Sequence, residues 1–218
     1  MMTAEAVVSQ AFPMLGEKHL VGYLPGDEDL SHTRRRMGRY YGYRLVIGMD
    51  SGPKTTWAVW ALAGRLSAED EHDGFIVLNQ LEVNGCAVSF QARLIADFHE
   101  ATGYPKASMI FTGPAGVMQD GLLAAELDKR AIRDRLSLPS PGSSVPFCCA
   151  RVARDGMGMG WATIAGLLNP PTGEPRLMFC PSAYSTYYEL GRQIKGEDEC
   201  HAVAALRYAV MGWWRRIQ

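Results

Sequence analysis

A chain of 218 residues has the length of one domain, or of one domain with an appendage, and 47% hydrophobic residues are enough to build a core. Its 22 Lys and Arg stand against 23 Asp and Glu, leaving a formal charge of −1. That balance excludes a global electrostatic hold on a polyanion, so any nucleic-acid binding must come from a local patch. The longest apolar run, Trp57 to Ala63, falls far short of the roughly 20 residues of a membrane span, and no charged-then-apolar leader opens the sequence.

Residues 1–43 mix short apolar pieces with Gly and Pro. A polar run, Gly26 to Ser31, leads into Thr33, Arg34, Arg35, Arg36 and Arg39, and the whole reads as an N-terminal arm or linker. The domain proper is expected over residues 44–218. Leu45 to Met49, Thr56 to Ala63 and Phe75 to Val83 are three apolar runs, separated by Gly52-Pro53 and by the polar stretch Ser67 to Gly74, and they predict a three-stranded meander. Ala87, Phe90, Leu94, Phe98 and Ala101 then recur at spacings of three and four, predicting an amphipathic helix stopped by Gly103 and Pro105. Ala107 to Phe111 is a fourth strand. Leu122, Leu123, Leu127 and Ile132 predict one further helix up to Leu136. After a Pro and Ser loop, Phe147 to Ala153 is a candidate strand, and Gly156 to Gly160 reads as a flexible loop. The last third predicts a helix over Trp161 to Leu168, a strand over Leu177 to Cys180, a short helix over Ser182 to Leu190 and a closing helix from about Asp198 to Arg215.

Few residues offer chemistry. The five cysteines are odd in number and irregular in spacing, and they read as small buried hydrophobes of a reduced chain. Asp50 follows the first apolar run, so its carboxylate emerges at a strand end, where either a metal ligand or a turn-capping Asp belongs. Arg34, Arg35, Arg36, Arg39 and Arg44, interleaved with Tyr40, Tyr41 and Tyr43, are candidates for DNA phosphates and bases; the alternative is solvated arginines beside packed tyrosines. Gly156 to Gly160 lacks the Lys-Ser/Thr of a phosphate-binding loop.

The segment His201 to Tyr208 is more specific. It resembles the closing helix of phage terminase large-subunit nuclease domains, whose pattern is Asp-His-x-x-Asp-Ala-Leu-Arg-Tyr, and the matching residues are His201, Ala205, Leu206, Arg207 and Tyr208. Gly113-Pro114-Ala115-Gly116 is similar to the family's Asp-Pro-Ala-Gly, and Ile47 to Ser51 is similar to its opening strand with the first catalytic acid, here Asp50. The resemblance covers about residues 44 to 215. It implies an α/β fold, a ribonuclease H-like mixed sheet with flanking helices, and an endonuclease that cuts concatemeric viral DNA during packaging. Such an enzyme uses two divalent ions, Mg or Mn, held by three carboxylates, because one ion makes hydroxide and the other stabilises the leaving oxygen. The resemblance further implies Asp50 as a metal ligand, His201 beside the third acid, and double-stranded DNA and viral packaging or capsid proteins as partners. The location it implies is the host cytoplasm or the viral particle.

This sequence departs from the pattern at two of the three acids, where it has Gly113 and Ala204. Glu197 and Asp198 lie about 9 to 11 Å upstream of Ala204 along a helix axis, and Glu199 is expected on another face. Asp120 lies seven residues beyond Gly113 and is expected to reach the site only through a loop rearrangement. Three readings follow. The leading one is a degenerate nuclease domain kept as a DNA-binding or docking module, without the Walker loop of a packaging motor. The second is an active endonuclease in which Asp50 is joined by Asp120 and by Asp198 or Glu197. The third takes Asp50 to Thr55 as similar to the phosphate turn of an actin-like nucleotide-binding fragment.

Overall fold

The three apolar runs pair as the sequence leads one to expect. The computed structural model describes residues 11–21, 44–52, 54–65, 73–113, 118–137, 156–171, 173–193 and 199–217. Strands β1 (Arg44–Ser51), β2 (Thr55–Arg65) and β3 (Asp73–Asn84) form an antiparallel meander. β4 (Met109–Thr112) adds parallel to β1, and β5 (Leu177–Phe179) adds parallel to β3, giving the order β4-β1-β2-β3-β5. The helices are α1 (Val88–Ala101), α2 (Met118–Asp128), α3 (Arg130–Leu136), α4 (Gly156–Leu168), α5 (Tyr184–Arg192) and α6 (His201–Ile217). α1, α2 and α3 cover one face of the sheet through Ile47, Trp60, Ile95 and Leu123, while α4, α5 and α6 cover the other through Val46, Val59, Phe111 and Ala205. This is the α/β, ribonuclease H-like mixed sheet with flanking helices.

Two glycines set how closely the closing helix approaches. A Cβ at Gly48 would run into the backbone carbonyl of Ala205 and lie 2.8 Å from the Ala209 side chain, and a Cβ at Gly212 would overlap the Phe111 ring. α6 therefore rests almost backbone to backbone on β1 and β4, which its Ala-rich face allows.

Several expectations need correction. The helix expected to run through to Leu136 is two, because Lys129 adopts an extended backbone with ψ 129° between α2 and α3; the bend brings Leu127, Ile132 and Leu136 together into the core. Gly156 to Gly160 is the opening of α4 and no loop. Glycine costs about 1 kcal/mol per helical position, but Gly160 faces the aliphatic stem of Arg207 so tightly that no Cβ fits, and Ile164, Leu167 and Leu168 bury the helix. The short helix expected over Ser182 to Leu190 is a 3-10 turn, Pro181–Ala183, running into α5, and the closing helix starts at His201. Part of the expected arm is built into the domain: Phe12 is buried, and Leu20 bridges Phe179 beside β5. The candidate strand Phe147 to Ala153 lies outside the described residues.

One irregularity matters for the site. In the β2/β3 pairing Trp60 opposes Asn79 and Ala61 opposes Val77, so Leu78 is an extra residue on β3. Side chains alternate along a strand, so one added residue reverses the facing of everything beyond it. Gln80 and Glu82 thereby point to the α5 and α6 side, where Gln80 Oε1 accepts from Thr186 N at 2.5 Å and from Thr186 Oγ1 at 2.6 Å.

Candidate active site

β1 and β4 are parallel neighbours, so their C-terminal ends lie side by side, and the first turn of α6 comes down onto them. Asp50, at the end of β1, is buried and bonded through Oδ2 to His201 Nδ1. Gly52 makes room for that contact, since a Cβ there would overlap the His201 imidazole. Its bond to Asp50, above all, holds His201 above the ordinary imidazole range, against the opposing pull of burial.

A second acid, Asp120, comes close to Asp50. Asp120, in the first turn of α2, turns back to the sheet, where Ser51 N donates to its Oδ1 at 3.0 Å. Its Oδ2 lies where a Cβ on Gly113 would otherwise sit, and the Tyr208 hydroxyl is 3.0 Å from that same point. Gly113 and Asp120 are thus a coupled pair: only the residue without a side chain at 113 leaves space for the Asp120 carboxylate. Burial, reinforced by the neighbouring Asp50 charge, pushes Asp120 up to about 7, and burial pushes the Tyr208 phenol up to about 12. The expectation that Asp120 needs a loop rearrangement to reach Asp50 is therefore corrected. The sequence held one signal for it, an acid in the first turn of the helix that follows Gly113.

Position 204, on the closing helix, carries an alanine. His201, Ala204 and Tyr208 recur at three and four residues on α6 and share a face, and with His201 on Asp50 and Tyr208 beside Asp120, Ala204 lies between them, buried. Glu199 does not replace it. Its carboxylate takes a fork of bonds from Arg207, Nε at 2.8 and 2.9 Å and Nη2 at 2.6 Å, and a further bond from Trp161 Nε1 at 2.8 Å. Arg207 in turn lies 4.5 Å over the Tyr208 ring. This buried pair ties α4 to α6 and orients Tyr208.

Glu197 and Asp198 lie outside the described residues, as do Arg34, Arg35, Arg36 and Arg39 of the basic segment. Arg44 is exposed at the start of β1, at the opposite end of the strand from Asp50. The turn on which the actin-like reading relied is closed by Gly52 N donating to Thr55 O at 2.7 Å, and its glycine faces His201 rather than an open cradle.

Among the described residues, the donors around Asp50 do not by themselves fit a pair of divalent ions. Two carboxylates converge, one oxygen of each is already engaged by His201 or Ser51, and Ala204 offers no third. Two dications about 3.5 to 4 Å apart need several anionic oxygens to offset their repulsion. Among the described residues, no group of three or more His, Cys, Asp or Glu side chains is placed to hold a metal ion. No described helix is long and apolar enough to cross a membrane.

No family model matches the sequence, and no curated protein matches it. Solved structures do match by shape. The Mn-soaked terminase nuclease domain of human cytomegalovirus aligns over 92% of this chain and 92% of its own, at 12% identity and a TM-score of 0.55. The large terminase nuclease of the thermophilic phage G20c aligns over 78% and 83%, at 16% identity and a TM-score of 0.46. The Mn-bound nuclease domain of the bacteriophage SPP1 large terminase aligns over 84% and 91%, at 13% identity and a TM-score of 0.46. The chain is similar to terminase nuclease domains in fold, and the cytomegalovirus domain carries that likeness.

Proposed function

We propose that this chain is a terminase-nuclease-like domain whose two-ion cutting centre has been lost, and that it serves viral DNA packaging as a DNA-binding or protein-docking module. The observation that carries this reading is Ala204, buried between His201 and Tyr208 at the place where a third carboxylate would have to stand. Asp50 then keeps a structural partner in His201, and Asp120 keeps the end of β1 in place through Ser51. The test is incubation of supercoiled plasmid with the protein and Mg²⁺ or Mn²⁺. The expected outcome is no nicking above a control lacking protein.

A second reading has a specific observation in its favour, the convergence of Asp120 on Asp50. Two carboxylates suffice to hold one divalent ion that keeps most of its water, and an endonuclease with this relocated acid would cut. Robust cleavage abolished by Asp50→Ala and by Asp120→Asn would establish it and overturn the first reading.

A further inference from the structure

α5 carries aromatic side chains with two different fates. Tyr187 packs edge-on against Phe179 with 5.6 Å between ring centroids. Tyr184 and Tyr188, one helical turn apart, are 53% and 48% exposed and lie nearly parallel at 6.4 Å. The Arg192 guanidinium sits 5.3 Å over the Tyr188 ring, so this face of the helix already stacks a cation on an aromatic surface.

The two open tyrosines form one wall of a groove of about 530 Å³, within the range of small-ligand sites, and Trp57 and Glu82 form the other. Glu189 adds a second carboxylate, and the groove ends at His201. Among the described residues, Glu82 takes one bond, from Asn84 Nδ2 at 3.0 Å, and no ion pair neutralises either glutamate. The walls are held in register, because Thr186 of α5 is bonded to Gln80 and receives Trp57 Nε1 at 3.4 Å. The extra residue at Leu78 is what brings Glu82 to this side of the sheet.

We propose that this groove is a docking pocket for an arginine side chain presented by a basic segment of a partner protein. The proposal rests on the docking half of the reading above. Aromatic faces and unpaired carboxylates both attract a cation, and a planar guanidinium can stack on tyrosine while it forks onto a carboxylate. An unpaired nucleobase would also stack on these rings, but the phosphates attached to it would face Glu82 and Glu189. The two carboxylates outnumber the one imidazole, His201, at the end of the groove, so charge complementarity selects the basic peptide.

The experiment is titration of the whole chain with a short Gly-Arg repeat peptide with blocked termini, and with its citrulline counterpart, which keeps the shape and removes the charge. The arginine peptide is expected to bind at least about tenfold more tightly and to weaken as salt rises. Tyr188→Ala and Glu189→Gln should each lower its affinity about three- to tenfold, while Tyr188→Phe keeps it. Both altered side chains are partly solvated, so unchanged melting curves show that the fold is intact. Equal binding of the two peptides, no saturable binding, or binding of oligothymidylate that Tyr188→Ala removes while the peptide fails to bind would each overturn the pocket. Plasmid cutting decides the other reading separately: a chain that neither cuts nor binds loses only the pocket, and one that cuts loses only the degenerate reading.

Discussion

Each face of the sheet sets a histidine against a hydrogen-bonding partner, and the surroundings drive the two rings in opposite directions. On the α6 face, His201 meets the Asp50 carboxylate, which stabilises the imidazolium and raises its pKa. On the α1 face, His99 Nδ1 accepts the Trp60 indole N–H at 3.1 Å, an arrangement that requires the neutral ring, and burial pulls its pKa down to about 4. The difference reaches beyond the histidines. The α1 face is held by apolar volume around Trp60, Ile47 and Ile95, whereas the α6 face combines glycine-spaced backbone contact with buried charge. One face is a conventional core; the other is a core interrupted by what an active site would need.

The sharpest way to break this contrast is at Glu199. Glu199→Ala leaves Arg207, whose side chain is 7% exposed, with no counter-charge. A loss of about 3–5 kcal/mol is expected, a fall in melting temperature of roughly 6–20 °C for a chain this size. The double change Glu199→Leu with Arg207→Met should recover most of it. Adjacent residues on β1 give the next test, because one points to each face. Ile47→Ala removes buried volume and should cost about 2–5 kcal/mol, whereas Gly48→Ala adds one methyl against the Ala205 carbonyl and should cost about 1–3 kcal/mol. Chemical denaturation of the two variants reads both values; a Gly48→Ala protein as stable as the parent would mean that α6 is not seated as described.

The smallest effect sharpens the comparison of the histidines. Unfolded, His99 titrates near 6.5; folded, it does so at about 4. Between these values the unfolded chain binds a proton that the folded chain refuses, so stability falls as pH drops from about 6.5 to 4 and this contribution is level above that window. His99→Gln keeps an acceptor for Trp60 and should remove that part of the slope. Subtracting the two profiles of melting temperature against pH isolates it, and identical profiles would show that His99 is not held neutral.

The meander, the helix after it and the closing helix were legible in the sequence because each rests on local periodicity. Alternation over Phe75 to Val83 was only partial, and the extra residue at Leu78 explains why: the side chains before and after it serve opposite faces. Gly156 to Gly160 misled because propensity is a local property, while the close seat of Arg207 against Gly160 is a tertiary one. Asp50 and His201 were legible as a strand-end acid and a helix-start histidine, though nothing local said that they bond. Their meeting spans 151 positions of chain.

By itself the sequence determined the order of the meander, the helix after it and the closing helix, the acid Asp50 at the end of the first strand, and Gly and Ala at 113 and 204, since identity and short-range spacing are written in it directly. Only the tertiary structure decided that Asp120 fills the space Gly113 leaves open, and that Glu199 is committed to Arg207 and Trp161. The physical reason is common to both. Where a carboxylate ends up depends on the angle at which a helix leaves its strand and on which buried cation lies nearest, and packing between distant segments fixes those quantities.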